Sequence, residues 1–193
     1  IIIWGGADWN IDDMKNYWQP GKEGVQQIYA EYQRYNNPWF LVKEWLRGHY
    51  KNDFYGYTTL SYKISKDLEV MGRTSVTTYD LLRTEKFPYS ATTYGREEAR
   101  GDYREDARKL FENNTELLIK FNKNFFSDLS VSAVAGGNVR NLRYNSSFVS
   151  TNYLNVPGIY TFANSRNPIV ASNFSSEMLV TSAYGSLDLS YKN

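Results

Sequence analysis

The sequence predicts an all-β fold, and within that class a segment of a large antiparallel transmembrane β-barrel. Three observations point there. Apolar and polar residues alternate strictly in five runs that begin at Asp53, the period of a pleated strand with two unlike faces. The connections alternate in length, short at 65–67 and 122–124 and long at 80–112 and 136–177. Tyr62, Phe121 and Tyr191 stand on the apolar parity at the same end of three of the runs, where an amphipathic ring settles at a membrane interface.

Composition removes several other classes. The 193 residues carry 22 Lys+Arg against 21 Asp+Glu, a formal net charge of +1, so no basic stripe marks a nucleic-acid binder. There is no Cys, which excludes disulfide scaffolds, thiolate zinc sites and cysteine nucleophiles. No run reaches the roughly 18 apolar residues of a spanning helix, whereas a spanning strand needs only about 9–11. The opening Ile1-Ile2-Ile3-Trp4 has no charged leader and no small-residue cleavage site, so no signal peptide is read there.

In order along the chain, residues 1–52 read as an irregular extracellular loop region leading into the barrel, and 53–193 as the strands and loops of an incomplete barrel. Asp12–Tyr17 and Gly24–Tyr35 are candidates for short helices without a clean apolar stripe. Asn36-Asn37-Pro38 reads as a turn or breaker. The first strand sets Phe54, Gly56, Thr58, Leu60, Tyr62 and Ile64 against Tyr55, Tyr57, Thr59, Ser61 and Lys63. Ser65-Lys66-Asp67 turns it into a second, with Leu68, Val70, Gly72, Thr74 and Val76 opposite Glu69, Met71, Arg73, Ser75 and Thr77. A third strand alternates Thr115, Leu117, Ile119 and Phe121 with Glu116, Leu118, Lys120 and Asn122, and Asn122-Lys123-Asn124 is its turn. A fourth alternates Leu129, Val131, Ala133 and Ala135 with Ser130, Ser132 and Val134, and Gly136-Gly137-Asn138 is read as its bend out into a loop. The fifth runs from Leu179 to Tyr191, opposite Val180, Ser182, Tyr184, Ser186, Asp188 and Ser190.

Compact soluble domains seldom carry structureless loops beyond about 12–15 residues. Outer-membrane barrels combine short periplasmic turns with long extracellular loops as their ordinary plan. Five strands cannot close a barrel, because bacterial barrels have about eight or more. The expectation is therefore a piece of a larger barrel.

Asn36-Asn37-Pro38-Trp39, the run from Asp53 through Ile64 and Leu68–Arg73 resemble the mid-barrel of SusC/RagA-type TonB-dependent transporters. Residues Thr115–Lys123, Ala135-Gly136-Gly137-Asn138, Pro157–Tyr160 with Asn164-Ser165, and Ser182–Ser186 extend the likeness over most of 36–193. The resemblance implies a barrel of about 22 strands with an internal plug, placed in the bacterial outer membrane. It implies a SusD-like surface lipoprotein as lid, uptake of oligosaccharides or oligopeptides, and energy from TonB–ExbB–ExbD through parts outside this chain. It implies no cofactor.

No catalytic or metal-binding constellation emerges. His49 is the single His and cannot build a multi-His site; a triad around it would be chance. Glu97, Glu98, Asp102, Glu105 and Asp106 interleave with Arg96, Arg100 and Arg104, a self-neutralising solvated loop by its charge pattern. Arg100-Gly101-Asp102 and the Asn-x-Ser/Thr triplets at Asn113, Asn145 and Asn173 are chance matches in such a composition. The aromatic surplus of 17 Tyr, 10 Phe and 5 Trp is the remaining functional signal. Tyr55, Tyr57 and Tyr79 fall on the polar, lumen-facing parity as ligand-binding candidates, with packing against a plug or loops as the other reading. Tyr62, Phe121 and Tyr191 are the membrane-interface aromatics. Two further function classes stay open here: a secreted or surface β-sandwich that binds glycans, and a glycoside hydrolase.

Overall fold

The computed structural model describes residues 10–31, 35–126 and 128–192. Five strands form one open antiparallel sheet in sequence order: β1 (Leu46–Lys63), β2 (Leu68–Phe87), β3 (Asp102–Phe125), β4 (Leu129–Leu154) and β5 (Ser165–Tyr191). No second sheet appears among the described residues. Register is set by bonds close to the short turns: Ile64 N–H donates to Leu68 O at 2.9 Å, Asn122 N–H to Asp67 O at 2.8 Å, and Lys192 N–H to Asp128 O at 2.8 Å.

All five predicted strands are present, and all are longer than the alternation indicated. They run to 18, 20, 24, 26 and 27 residues, where about 9–11 cross a bilayer. The long loops expected at 80–112 and 136–177 are mostly strand; the connections that remain are 88–101 and 155–164. The cause is chemical. In Thr77–Phe87 and Asp102–Asn114 polar residues occupy both parities, so the ladder continues while the period-2 signal fades. The turn expected at 122–124 also lies within β3, which pairing of Asn122 with Asp67 keeps extended. The chain reverses beyond it, where Phe126 adopts φ 57°. Gly136-Gly137-Asn138 does not leave the sheet but sits inside β4. A Cβ on Gly136 would collide with the Leu118 side chain and stand 2.8 Å from the Leu117 carbonyl oxygen, so glycine here admits a neighbouring strand's side chain.

The chain divides into two compact units. Unit 1 comprises 1–50, 81–107 and 146–173. It has a small core of Phe40, Phe87 and Ala91, flanked by Tyr17, Trp18, Leu41 and Trp45. The expected breaker Asn36-Asn37-Pro38 starts a helix instead, α1 (Pro38–Glu44), whose N-cap Asn37 accepts from Trp39 N–H; proline at the first helical position gives up no hydrogen bond there. Of the two helix candidates, Ile11–Lys15 is a short 3-10 turn. Gly24–Tyr35 holds isolated bridges at Gln27 and Tyr35 and in part lies outside the described residues. Ser90, at φ 70°, is 2% exposed. Its hydroxyl accepts from Gln27 N–H at 2.9 Å, and its carbonyl accepts from Gln27 Nε2 and Tyr29 Oη, each at 2.7 Å. These bonds pin residues 26–29 to the β2–β3 connection.

Unit 2 comprises 51–80, 108–145 and 174–193. Among its described residues Met71 alone is a buried hydrophobic. The side chains that would build a core stand in the open: Leu60 is 75% exposed, Ile119 44% and Leu189 65%. Nothing among the described residues covers that face.

Candidate functional site

In unit 2 the register gathers the polar parities of all five strands on one face. Glu69 of β2 meets Lys120 of β3 at 3.8 Å. Ser132 Oγ of β4 donates to Asn122 Oδ1 at 2.6 Å, Asn138 Nδ2 donates to Asn114 Oδ1 at 2.9 Å, and Tyr184 Oη of β5 donates to Glu116 Oε1. The opposite face carries Leu60, Tyr62, Leu117, Ile119, Leu179, Leu187, Leu189 and Tyr191, all exposed.

A cleft of about 440 Å³ opens on the polar face, lined by Tyr55, Tyr57, Arg73, Ser75, Asn114 and Glu116. The Tyr55 and Tyr57 rings lie 6.3 Å apart with a 48° tilt, and they are 69% and 66% exposed. Two free aromatic faces beside a guanidinium, an amide and a carboxylate can stack on a planar or ring-shaped ligand and hydrogen-bond its edge. Tyr79, the third candidate, is not in this cleft; Lys51 Nζ lies 5.4 Å from its ring centroid. Parity and the 65–67 turn bring Arg73 near Tyr57, but Asn114 and Glu116 carry no such sequence signal, because the β2–β3 register that places them is not set by a short turn. Of the interface candidates, Tyr62 is next to last in β1 and Tyr191 last in β5. Phe121 lies four residues inside the end of β3, because the turn comes later than expected.

Unit 1 holds a second cleft, also about 440 Å³, lined by Arg47, His49, Arg83, Glu85, Arg104 and Phe148 among others. Glu85 is the hub. Its Oε1 accepts from Trp45 Nε1 at 2.6 Å and Arg47 Nε at 3.0 Å, and its Oε2 from Arg104 Nη1 at 3.3 Å. Burial pushes its carboxyl up, but these donors and the two guanidinium charges outweigh burial and hold it below the usual carboxylate range. Next to this hub Asp102, fully buried, accepts from Arg96, from Arg104 Nη2 at 3.2 Å and from Tyr153 N–H at 3.0 Å. The acid–arginine run read as a solvated loop is thus neutralised internally but not solvated at its centre. Tyr103 donates to Glu105 Oε1 at 2.6 Å; that bond and partial burial push its phenol up to about 12. No sequence signal marks the second cleft, because in 81–87 and 102–107 polar residues stand on both parities and the period-2 pattern is lost.

Among the described residues no three His, Asp or Glu side chains group as metal ligands, and no helix is long and apolar enough to cross a membrane.

No protein-family model matches the chain, and no curated protein matches it by sequence. Solved structures do match. A chain of the RagAB peptide importer in its closed-closed state superposes with a TM-score of 0.72 at 10% identity, covering 88% of this chain and 19% of that one. A chain of the RagAB peptide transporter gives 0.71 at 10% identity, covering 87% of this chain and 19% of that one. In fold, then, this chain is similar to a segment about one-fifth the length of those transporter chains, and its open five-stranded antiparallel sheet has the architecture of a section of barrel wall.

Proposed function

We propose that the chain is a section of the wall of an outer-membrane importer of the SusC/RagA TonB-dependent type. The observation that carries this reading is the separation of faces in unit 2. One face is polar, with hydrogen bonds and an ion pair linking all five strands, and the other exposes leucines, an isoleucine and tyrosines with no described residue over them. A patch of that kind on a water-soluble domain would drive association, whereas hydrocarbon is its natural solvent. The open edges of β1 and β5 support further strands on both sides, because an unpaired edge in lipid costs several kcal/mol per group.

On this reading the polar face lines the lumen, Tyr55, Tyr57 and Tyr79 are available to cargo or plug, and Tyr62, Phe121 and Tyr191 sit at the headgroup level. The expected extracellular region of residues 1–52 shortens to the part before Leu46, where β1 of the wall already begins. The cargo is an oligosaccharide or oligopeptide, and a SusD-like lipoprotein is the lid. TonB–ExbB–ExbD drives uptake through parts of the protein outside this chain. The similarity to chains of a peptide importer supports the transport role.

The test compares neighbouring residues on opposite faces in the full-length protein. Leu60→Arg, two residues inside the interfacial Tyr62, should lose about 1–2 kcal/mol of folding free energy in lipid vesicles, between the cost of an arginine at the interface and at the bilayer midplane. Ser61→Arg should cost far less. Equal losses in a urea titration of vesicle-folded protein would overturn the face assignment.

A further inference from the structure

We infer that the cleft of unit 1 binds a carboxylate group, which on the importer reading belongs to the cargo. The chain as a whole is close to neutral, yet this cleft sets Arg47, Arg83 and Arg104 against Glu85 and Asp106. The two acids are already committed. Glu85 is shared between Arg47 Nε at 3.0 Å and Arg104 Nη1 at 3.3 Å and also takes the Trp45 indole N–H, and Asp106 is engaged in an interaction of its own. Arg83 is different. It makes no hydrogen bond or ion pair with any described residue, and it is exposed in the cleft. The Arg47–Glu85 bond fixes the β1–β2 register, which makes His49 its cross-strand neighbour; His49 adds an imidazole without a negative charge.

A free guanidinium offers a planar fork of N–H donors that matches a carboxylate in two parallel bonds. Phe148 supplies an apolar wall on the same cleft, against which the carbon skeleton of a ligand can lie. The C-terminus or acidic side chain of a short peptide carries such a group, and so does a uronic acid sugar. The shared chemistry is the carboxylate.

The experiment uses the full-length protein in detergent micelles and measures binding of four probes by calorimetry. They are an oligopeptide with a free C-terminal carboxylate, its C-terminal amide, an oligogalacturonate, and the corresponding neutral oligosaccharide. At least one acid probe should bind roughly 10-fold more tightly than its neutral partner, the scale of a charge-assisted pair, and the difference should shrink with added salt. Arg83→Ala and Arg83→Gln should each remove the difference while leaving the neutral probes unchanged; Arg83→Lys should restore part of it. A peptide-acid effect alone identifies a peptide source, and a uronate effect alone a sugar source. Equal binding of both acids and their neutral partners, or acid binding untouched in both neutral variants, overturns the inference. Arg83 makes no hydrogen bond or ion pair with a described residue, so both variants should keep the heat-modifiable gel mobility of a folded barrel. The outcome is separable from the vesicle test: if Leu60→Arg destabilises the vesicle-folded protein more than Ser61→Arg while Arg83→Gln changes no affinity, the importer reading stands and the carboxylate site falls.

Discussion

Asp102 opens β3 with its carboxylate closed to solvent and held by two guanidiniums, a backbone N–H and, at 3.4 Å, the Thr151 hydroxyl. Removing it strands those donors, and breaking a buried pair from one side is costly because the remaining charge loses its partner. Asp102→Ala should destabilise unit 1 by about 3 kcal/mol, read as earlier protease cleavage in the 88–101 connection. Glu85 gives a pH signature. Its carboxyl is held below the usual range in the folded chain, so its contribution is present above the ordinary carboxylate pKa and is lost as pH falls through the lowered value. Trp45 donates to it, so Trp45 fluorescence should shift over that acidic window, and Glu85→Gln should abolish the shift. In the sequence Asp102 appears only as one member of a balanced charge run. Balance is visible in composition, but which acid becomes buried depends on a chain reversal at Gly101. That residue has φ 70° and lies so near the Phe87 carbonyl that a side chain would collide with it.

Strands were legible where one face is apolar and the other polar, and illegible beyond. The alternation in 54–64, 68–76, 115–121 and 179–191 separates an apolar face from a polar one. Outside those stretches β2 through β5 continue as hydrogen-bonded ladders with polar residues on both sides, and no periodicity distinguishes them from loop. Gly136 is a consequence at this scale, since its missing side chain is where Leu118 of the neighbouring β3 packs. Gly136→Val should overpack that contact and cost about 1–3 kcal/mol, seen as a lower midpoint in thermal unfolding followed by far-UV circular dichroism. The helix start was misread for a different reason. Asn-Asn-Pro is compatible with both a turn and an N-cap, and the choice fell to the cap because Gln27 Oε1 accepts from Asn37 N–H at 2.8 Å while Asn37 Nδ2 reaches the Met14 carbonyl at 3.0 Å. Asn37→Ala should destabilise this end of unit 1 by about 1 kcal/mol or more, as N-cap losses do.

At the scale of the whole molecule, a sheet with two free edges and an uncovered apolar face is not a stable object in water. Each edge is a template for pairing with another chain, and the exposed leucines of unit 2 add an adhesive surface. Expressed by itself, the chain should sediment with inclusion bodies and stay in solution only with detergent; a monodisperse monomer in detergent-free gel filtration would count against a membrane role. Tyr55, Tyr57 and Tyr79 illustrate what a single strand pattern can convey. Parity placed all three on the polar side, but only the register of β1 with β2 and β3 put Tyr55 and Tyr57 beside Arg73, Asn114 and Glu116 and left Tyr79 with Lys51.

What the sequence by itself determined was the class of fold and the identity of its two faces. Period-2 hydrophobicity is a local property, written residue by residue by the solvent each side chain will meet. What only the tertiary structure decided was how far the strands extend, which acid is buried, and which side chains from distant strands share a cleft. Those follow from inter-strand register and from one chain reversal, and both depend on pairings between residues dozens of positions apart that no local pattern encodes.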